Sequence, residues 1–219
     1  MKKLLIDQPG QNGDILICLP IAKWYSNEYD IEWFCPKKFH ITFRPIDYCK
    51  PVTEISTDYD KIIDMSFGIR SSTPLHKWWI DNQSSWQSFI IPKYLLADVP
   101  LRERWNLVWK RNKEKENYLY DKIAAKYDHN YIVTHLTPDC KINSSAQNRI
   151  IFEPIEDFCV FDWIKVLKNS KEIHCIDSLL CNFVEVIPKL ISKPKFYYAT
   201  SKVPNIWDKT LLVNNWRFI

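Results

Sequence analysis

Three short stretches carry residue types that can act on a bound molecule. The first is Pro9-Gly10-Gln11-Asn12-Gly13-Asp14, which holds two of the three glycines in the chain, Gly68 being the third. Glycine lets a backbone approach a ligand closely, and a helix beginning here offers unpaired N–H groups. The stretch is neither a GxGxxG fingerprint nor a P-loop, since no Gly-Lys-Ser/Thr follows. Asp14 has two readings: an N-cap of the following helix, or a general base that takes a proton from an acceptor hydroxyl. Gly10, Gln11, Asn12 and Gly13 beside it are candidate acceptor or loop residues.

The second stretch is Ile176-Asp177-Ser178-Leu179-Leu180. A strand that ends in Asp-Ser before an apolar helix sets a hydroxyl and several backbone N–H groups at a helix N-terminus. That is a phosphate cradle, or an ordinary cap. The third is His135-Leu136-Thr137-Pro138-Asp139-Cys140-Lys141. Thr137 can donate a hydrogen bond to a diphosphate and Lys141 can neutralise it as a point charge, unless the lysine is merely solvated. His135 is either part of the same site or a structural histidine at a strand end.

Other chemistries find no signature. There is no HExxH pair, no carboxylate cage for a metal, and no GxSxG. The residues themselves indicate no site for a metal or other cofactor.

These loops need elements to hold them. Residues 3–6 read as a strand that runs into the glycine loop. Ile15, Cys18, Leu19 and Ala22 follow at helical spacing, with Pro20 a local irregularity. Residues 31–35 and 61–65 read as further strands. A second alternation begins with the helical stripe Tyr120, Ile123, Ala124 and Tyr127. Strands are expected at 131–135, 149–152 and 172–176, with late ones at 195–198 and 211–213. Between them come a short helix around Trp163, capped by Asp162, and a helix with the stripe Leu180, Phe183, Val184 and Ile187. This alternation implies parallel sheets flanked by helices, in two α/β lobes with a cleft between them, dividing near residue 115. Residues 70–115, with Trp78, Trp79, Trp86, Trp105 and Trp109, read as helical material and connection. Most of these tryptophans are expected to pack rather than stack on sugars or bases.

Composition sets the limits. Of 219 residues 46% are apolar, ample for a packed core and contrary to disorder. The apolar run after Met1 is too short for a signal peptide or a membrane span. Seven scattered cysteines without CxxC spacing indicate reduced thiols and a cytoplasmic setting. A net charge of +4 suits an anionic ligand, a membrane surface or nucleic acid, and selects none of them.

The order of these signals resembles one family. Asn12-Gly-Asp-Ile-Leu-Ile-Cys-Leu-Pro-Ile-Ala22 is similar to the opening G-D-(V/I)-L-x-x-x-P-A helix of the heptosyltransferase-like glycosyltransferases, including its proline. Residues 162–190 resemble that family's donor segment, with Asp177-Ser178 at its D-(S/T) positions, and 135–141 resemble its phosphate loop. The resemblance implies the GT-B fold: two Rossmann-like lobes, residues 1–115 on the acceptor side and 116–219 on the nucleotide-sugar side. It implies a metal-independent, inverting transfer with Asp14 as base and Ser178, Thr137 and Lys141 on the donor diphosphate. Three departures stand out. Leu179 replaces the family's Gly, Asn182 replaces its His, and the chain is about a third shorter than typical members.

The donor is then a nucleotide-sugar, and the acceptor a glycan precursor or a hydroxymethylated DNA base. The latter is prompted by the trimmed, glycine-poor, Lys- and Trp-rich character of the chain, which suggests a phage or viral product. Rival readings are a nucleotide-sugar epimerase or hydrolase on the same scaffold, and a binding protein that has lost the site.

Overall fold

The computed structural model describes residues 1–66, 77, 90–138, 140–142, 144, 146–187, 191–198 and 212–219. They fall into two compact units, Met1–Lys110 and Arg111–Ile219. Gly68, Trp78, Trp79, Trp86, Asp139 and Leu211, all named in the sequence reading, lie outside the described residues.

The first unit is built on β1 (Lys2–Asp7), β2 (Tyr29–Phe34), β3 (Lys50–Val52) and β4 (Lys61–Asp64). All pair in parallel, in the order β3-β2-β1-β4. Parallel strands are covered on both faces, so their apolar residues run on rather than alternate. In β1, Leu4, Leu5 and Ile6 are accordingly all buried. The chain leaves β1 toward β2 on one side and returns to β4 on the other. The loop after β1 therefore opens at the point where strand order reverses, where open α/β sheets bind ligands.

Helix α1 (Asn12–Tyr25) follows that loop. Its apolar stripe is wider than the heptad pattern indicates: every residue from Ile15 to Ala22 is buried. Two further segments pack on it, α2 (Ile90–Leu96) and a 3-10 turn at Leu101–Trp105. Residues 90–110 thus belong to the first unit and pack within it, with the expected helical material present at Ile90–Leu96. Pro20 lies inside α1 and has no N–H to give the preceding turn. In the same turn the Ile17 carbonyl accepts a bond from the Tyr94 hydroxyl at 2.9 Å, which ties α2 to α1.

The second unit is built on β5 (Tyr131–His135), β6 (Asn148–Ile151), β7 (Glu172–Cys175), β8 (Lys195–Tyr197) and β9 (Trp216–Phe218). The order is β6-β5-β7-β8-β9, again all parallel. Counted within the unit this is the 2-1-3-4-5 order of doubly wound sheets, with its reversal between β5 and β7. Three helices flank it, α3 (Lys113–Ile123), α4 (Ile164–Asn169) and α5 (Leu179–Val186).

Two local expectations change, and one strand is new. Asp162 is not an N-cap: it is the third residue of the 3-10 turn Val160–Trp163, and its carboxylate accepts from the Cys159 N–H at 2.9 Å. This is the reciprocal half of a capping box. The last strand is Trp216–Phe218, and Leu212 and Val213, expected in a strand, form none. Buried Glu185 of α5 decides this, accepting from the Val213 N–H at 3.2 Å and the Trp216 indole N–H at 2.8 Å. The short strand β3 has no signal in the sequence, because three residues are too few to show a period.

Candidate active site

In the first unit the glycine loop stands at the carboxyl end of β1. The N-cap of α1 is Gln11, which makes no side-chain cap bond, and Asp14 lies in the first turn. The capping alternative for Asp14 is therefore excluded. Asn12 Oδ1 accepts from the Thr42 hydroxyl at 2.8 Å, which fastens the loop to the 3-10 segment Lys37–Phe43 that follows β2. Gly13 and Asp14 are half-buried, and Gln11 is exposed.

Gly10 is required by close approach. Its N–H donates to Gln8 Oε1 at 3.0 Å. A Cβ at residue 10 would stand 2.9 Å from that oxygen and 3.0 Å from both Cβ and Oδ2 of Asp14. The glycine thus sits directly against the carboxylate. From the other side comes a group that the sequence did not reveal. Lys93 of α2 is 2% exposed at its side chain and pairs through Nζ with Asp14 Oδ1, while Asp14 retains 36% exposure. Ile90-Ile-Pro-Lys-Tyr-Leu-Leu96 reads as an apolar helix with one snorkelling lysine, and only the fold turns that lysine inward. Cys18 lies beside the pair. Burial pushes its thiol up to about 12, with Lys93 pulling it down and Asp14 pushing it up.

The second unit gathers its residues at the matching edge of its own sheet. Strands β5 and β7 are neighbours, and the Ile176 N–H donates to the His135 carbonyl at 3.0 Å. The loops carrying Thr137 and Lys141 and carrying Asp177 and Ser178 therefore start side by side, at the reversal of strand order. Ser178 is the N-cap of α5, its hydroxyl accepting from the Cys181 N–H at 3.4 Å, and Leu179 is the first helical residue. The capping reading of Ser178 is thus met; its hydroxyl hydrogen stays available to a ligand, as an acceptor bond leaves it in place. Thr137 Oγ1 lies 3.4 Å from Cys140 Sγ, and Lys141 is exposed.

Two buried polar atoms in this region lack a hydrogen-bond partner: His135 Nδ1 and Asn182 Oδ1. Such atoms are rare in a finished core, because each carries an unrecovered desolvation cost. Burial also holds the His135 imidazole below its ordinary range, so it is neutral at pH 7. A neutral ring can donate or accept toward a ligand. Among the described residues no group of three or more His, Cys, Asp or Glu is placed to hold a metal ion. No helix among them is long and apolar enough to cross a membrane.

No protein-family model matches the chain, and no curated protein matches it by sequence. Solved structures do. Escherichia coli heptosyltransferase WaaC with ADP-2-deoxy-2-fluoro heptose matches over 99% of this chain and 92% of its own, at 11% identity and a TM-score of 0.50. The chain shares the heptosyltransferase fold. Two further matches have lower scores. The first is E. coli ADP-heptose LPS heptosyltransferase II, with 10% identity, 99% and 90% coverage and a TM-score of 0.46. The other is a family 9 glycosyl transferase from Veillonella parvula, with 8% identity, 100% and 85% coverage and a TM-score of 0.45. In the heptosyltransferase fold as it stands here, Asp14 belongs to the first unit and His135, Thr137, Lys141, Asp177, Ser178 and Leu179 to the second.

Proposed function

We propose that this chain is a glycosyltransferase that moves a sugar from a nucleotide-diphosphate donor to an acceptor hydroxyl. The observation that carries the reading is the pair of switch-point loops on like parallel sheets. One presents a fixed, ionisable carboxylate, and the other presents a helix N-terminus beside unsatisfied buried polar atoms. The first suits proton abstraction and the second suits a phosphate-bearing ligand. WaaC, which shares the fold, is a heptosyltransferase whose structure holds an ADP-sugar analogue.

In the proposed step the acceptor oxygen attacks the anomeric carbon and its proton passes to Asp14. The bond from that carbon to the diphosphate oxygen breaks, and its electron pair leaves with the nucleoside diphosphate. A single displacement inverts the anomeric centre. The α5 N-terminus with Ser178 and the Leu179 N–H, together with Thr137 and Lys141, would stabilise the charge developing on the leaving group. His135 and Asp177 flank that cradle. These groups supply the positive potential that a metal provides in other transferases, and the GT-B arrangement of the lobes belongs to the same proposal. The acceptor is a glycan precursor or a hydroxymethylated DNA base. Transfer to duplex DNA would weaken steeply with added salt, and transfer to a neutral glycan would not.

A thermal-shift panel of UDP, GDP, ADP, CDP and dTDP, alone and as sugar conjugates, tests the reading. A ligand at about a hundred times its dissociation constant adds about 2.7 kcal/mol to the folded state. One diphosphate giving a clear shift, followed by acceptor-dependent release of it from its sugar conjugate, supports transfer. Release without acceptor identifies the hydrolase alternative, and silence across the panel identifies a binding protein without the site.

A further inference from the structure

We infer that Lys93 is a positioning residue: it holds Oδ1 of Asp14 so that Oδ2 is the atom that takes the acceptor proton. The inference rests on the transferase reading and adds a residue to its machinery. Three observations meet at this carboxylate. The Lys93 ammonium, with almost no exposure, pairs with Oδ1. The bare Cα of Gly10 lies against Oδ2, so close that a Cβ there would stand 3.0 Å away. The lysine itself is anchored, because the next residue, Tyr94, is buried and bonds α1 at Ile17. The carboxylate is thus held through Oδ1, while Oδ2 faces Gly10, which has no side chain of its own to crowd it, with Gln8 Oε1 close by.

A long flexible ammonium has little reason to be buried beside a half-exposed carboxylate for stability alone. Apolar replacement of a buried ionic group is often neutral or stabilising. The cation fixes the carboxylate in one orientation, which favours transfer, since misplacement of about 1 Å can cost about a hundredfold in rate. This fixes the sign of the test.

The test compares Lys93→Met and Lys93→Arg with the wild-type chain, by thermal melting, diphosphate binding and steady-state transfer. Lys93→Met is expected to melt near the wild-type temperature and to bind the diphosphate unchanged. Its kcat should fall about a hundredfold at unaltered donor KM. Lys93→Arg, which keeps charge and donors, should regain at least about tenfold of that loss. A Lys93→Met variant that is folded and as fast as wild type, or faster, overturns the inference. If Lys93→Met does not fold, Lys93→Gln is measured in its place, with the same loss expected. Unfolding of both leaves a purely structural lysine and also overturns it. A wild-type chain that binds a nucleotide-sugar but never transfers it overturns the transferase reading instead, before any variant is made.

Discussion

Both switch-point loops leave a buried polar atom without a hydrogen-bond partner, Gln8 Nε2 in the first unit and His135 Nδ1 in the second, but they differ in whether a charged group is held in place. In the first unit Asp14 has a charged partner, a close-packed glycine and a loop tied down by Thr42, so the carboxylate is built and waiting. In the second unit His135 Nδ1 and Asn182 Oδ1 are buried without partners, and Lys141 projects into solvent. A reacting group must be held before substrate arrives, whereas a binding site completes its bonds with the ligand. On the proposed reading, the held carboxylate does the chemistry and the second loop the recognition.

The sharpest way to break that contrast is Asp14→Asn, which keeps an oxygen for Lys93 but removes the proposed base. Turnover should fall by about 10²–10⁴ while diphosphate binding is retained, measured by initial rates and the thermal shift. If binding were lost with turnover, the division of labour would fail. A smaller effect is expected from Gly10→Ala. Its methyl would press on Gln8 and on Asp14, so kcat should drop about tenfold and stability by about 1 kcal/mol, read from rates and melting together. Ser178→Ala probes the second loop. Loss of the cap costs about 1 kcal/mol, or about 2–4 °C in Tm for a chain of this size, donor KM should rise, and kcat should fall less than in Asp14→Asn.

The smallest effect sharpens the second unit. His174 is fully buried, with Nδ1 2.9 Å from the Tyr198 hydroxyl and Nε2 3.0 Å from Glu172. Burial lowers its affinity for a proton, and the bond to Glu172 only partly offsets this. His135 is displaced in the same direction by burial. The unfolded chain then takes up protons at the ordinary imidazole value of about 6.5, where the folded chain does not. Stability is full above that pH and falls as pH drops through it toward the lower folded values. Melting at pH 7.5 and 5.5 should show the loss, and His174→Gln should reduce the difference. A variant with an unchanged pH dependence would remove His174 from the account.

The sequence disclosed the parts whose signals are local. Residues 2–7, 131–135 and 172–175 are apolar or β-rich runs bounded by turn residues, and each forms a strand within about a residue of its expected bounds. The stretch before α5 was legible as a cap because Ser178 precedes an apolar stripe. What stayed hidden is set by tertiary contact. Lys93 is indistinguishable from a surface lysine until α2 packs on α1. Strand β9 exists where it does because Glu185 captures Val213 and Trp216 across the unit. The widely buried α1 likewise follows from the second layer of helix upon it, which no window of its own sequence encodes.

All seven cysteines are free thiols, and six of them are buried. Cys140 alone is partly accessible, three residues beyond Thr137 in the second unit's open loop. A thiol-reactive fluorophore added to the native chain would therefore attach at one place without any engineering. That place is beside the groups expected to close on a phosphate, so its emission would give the occupancy of the donor loop in real time.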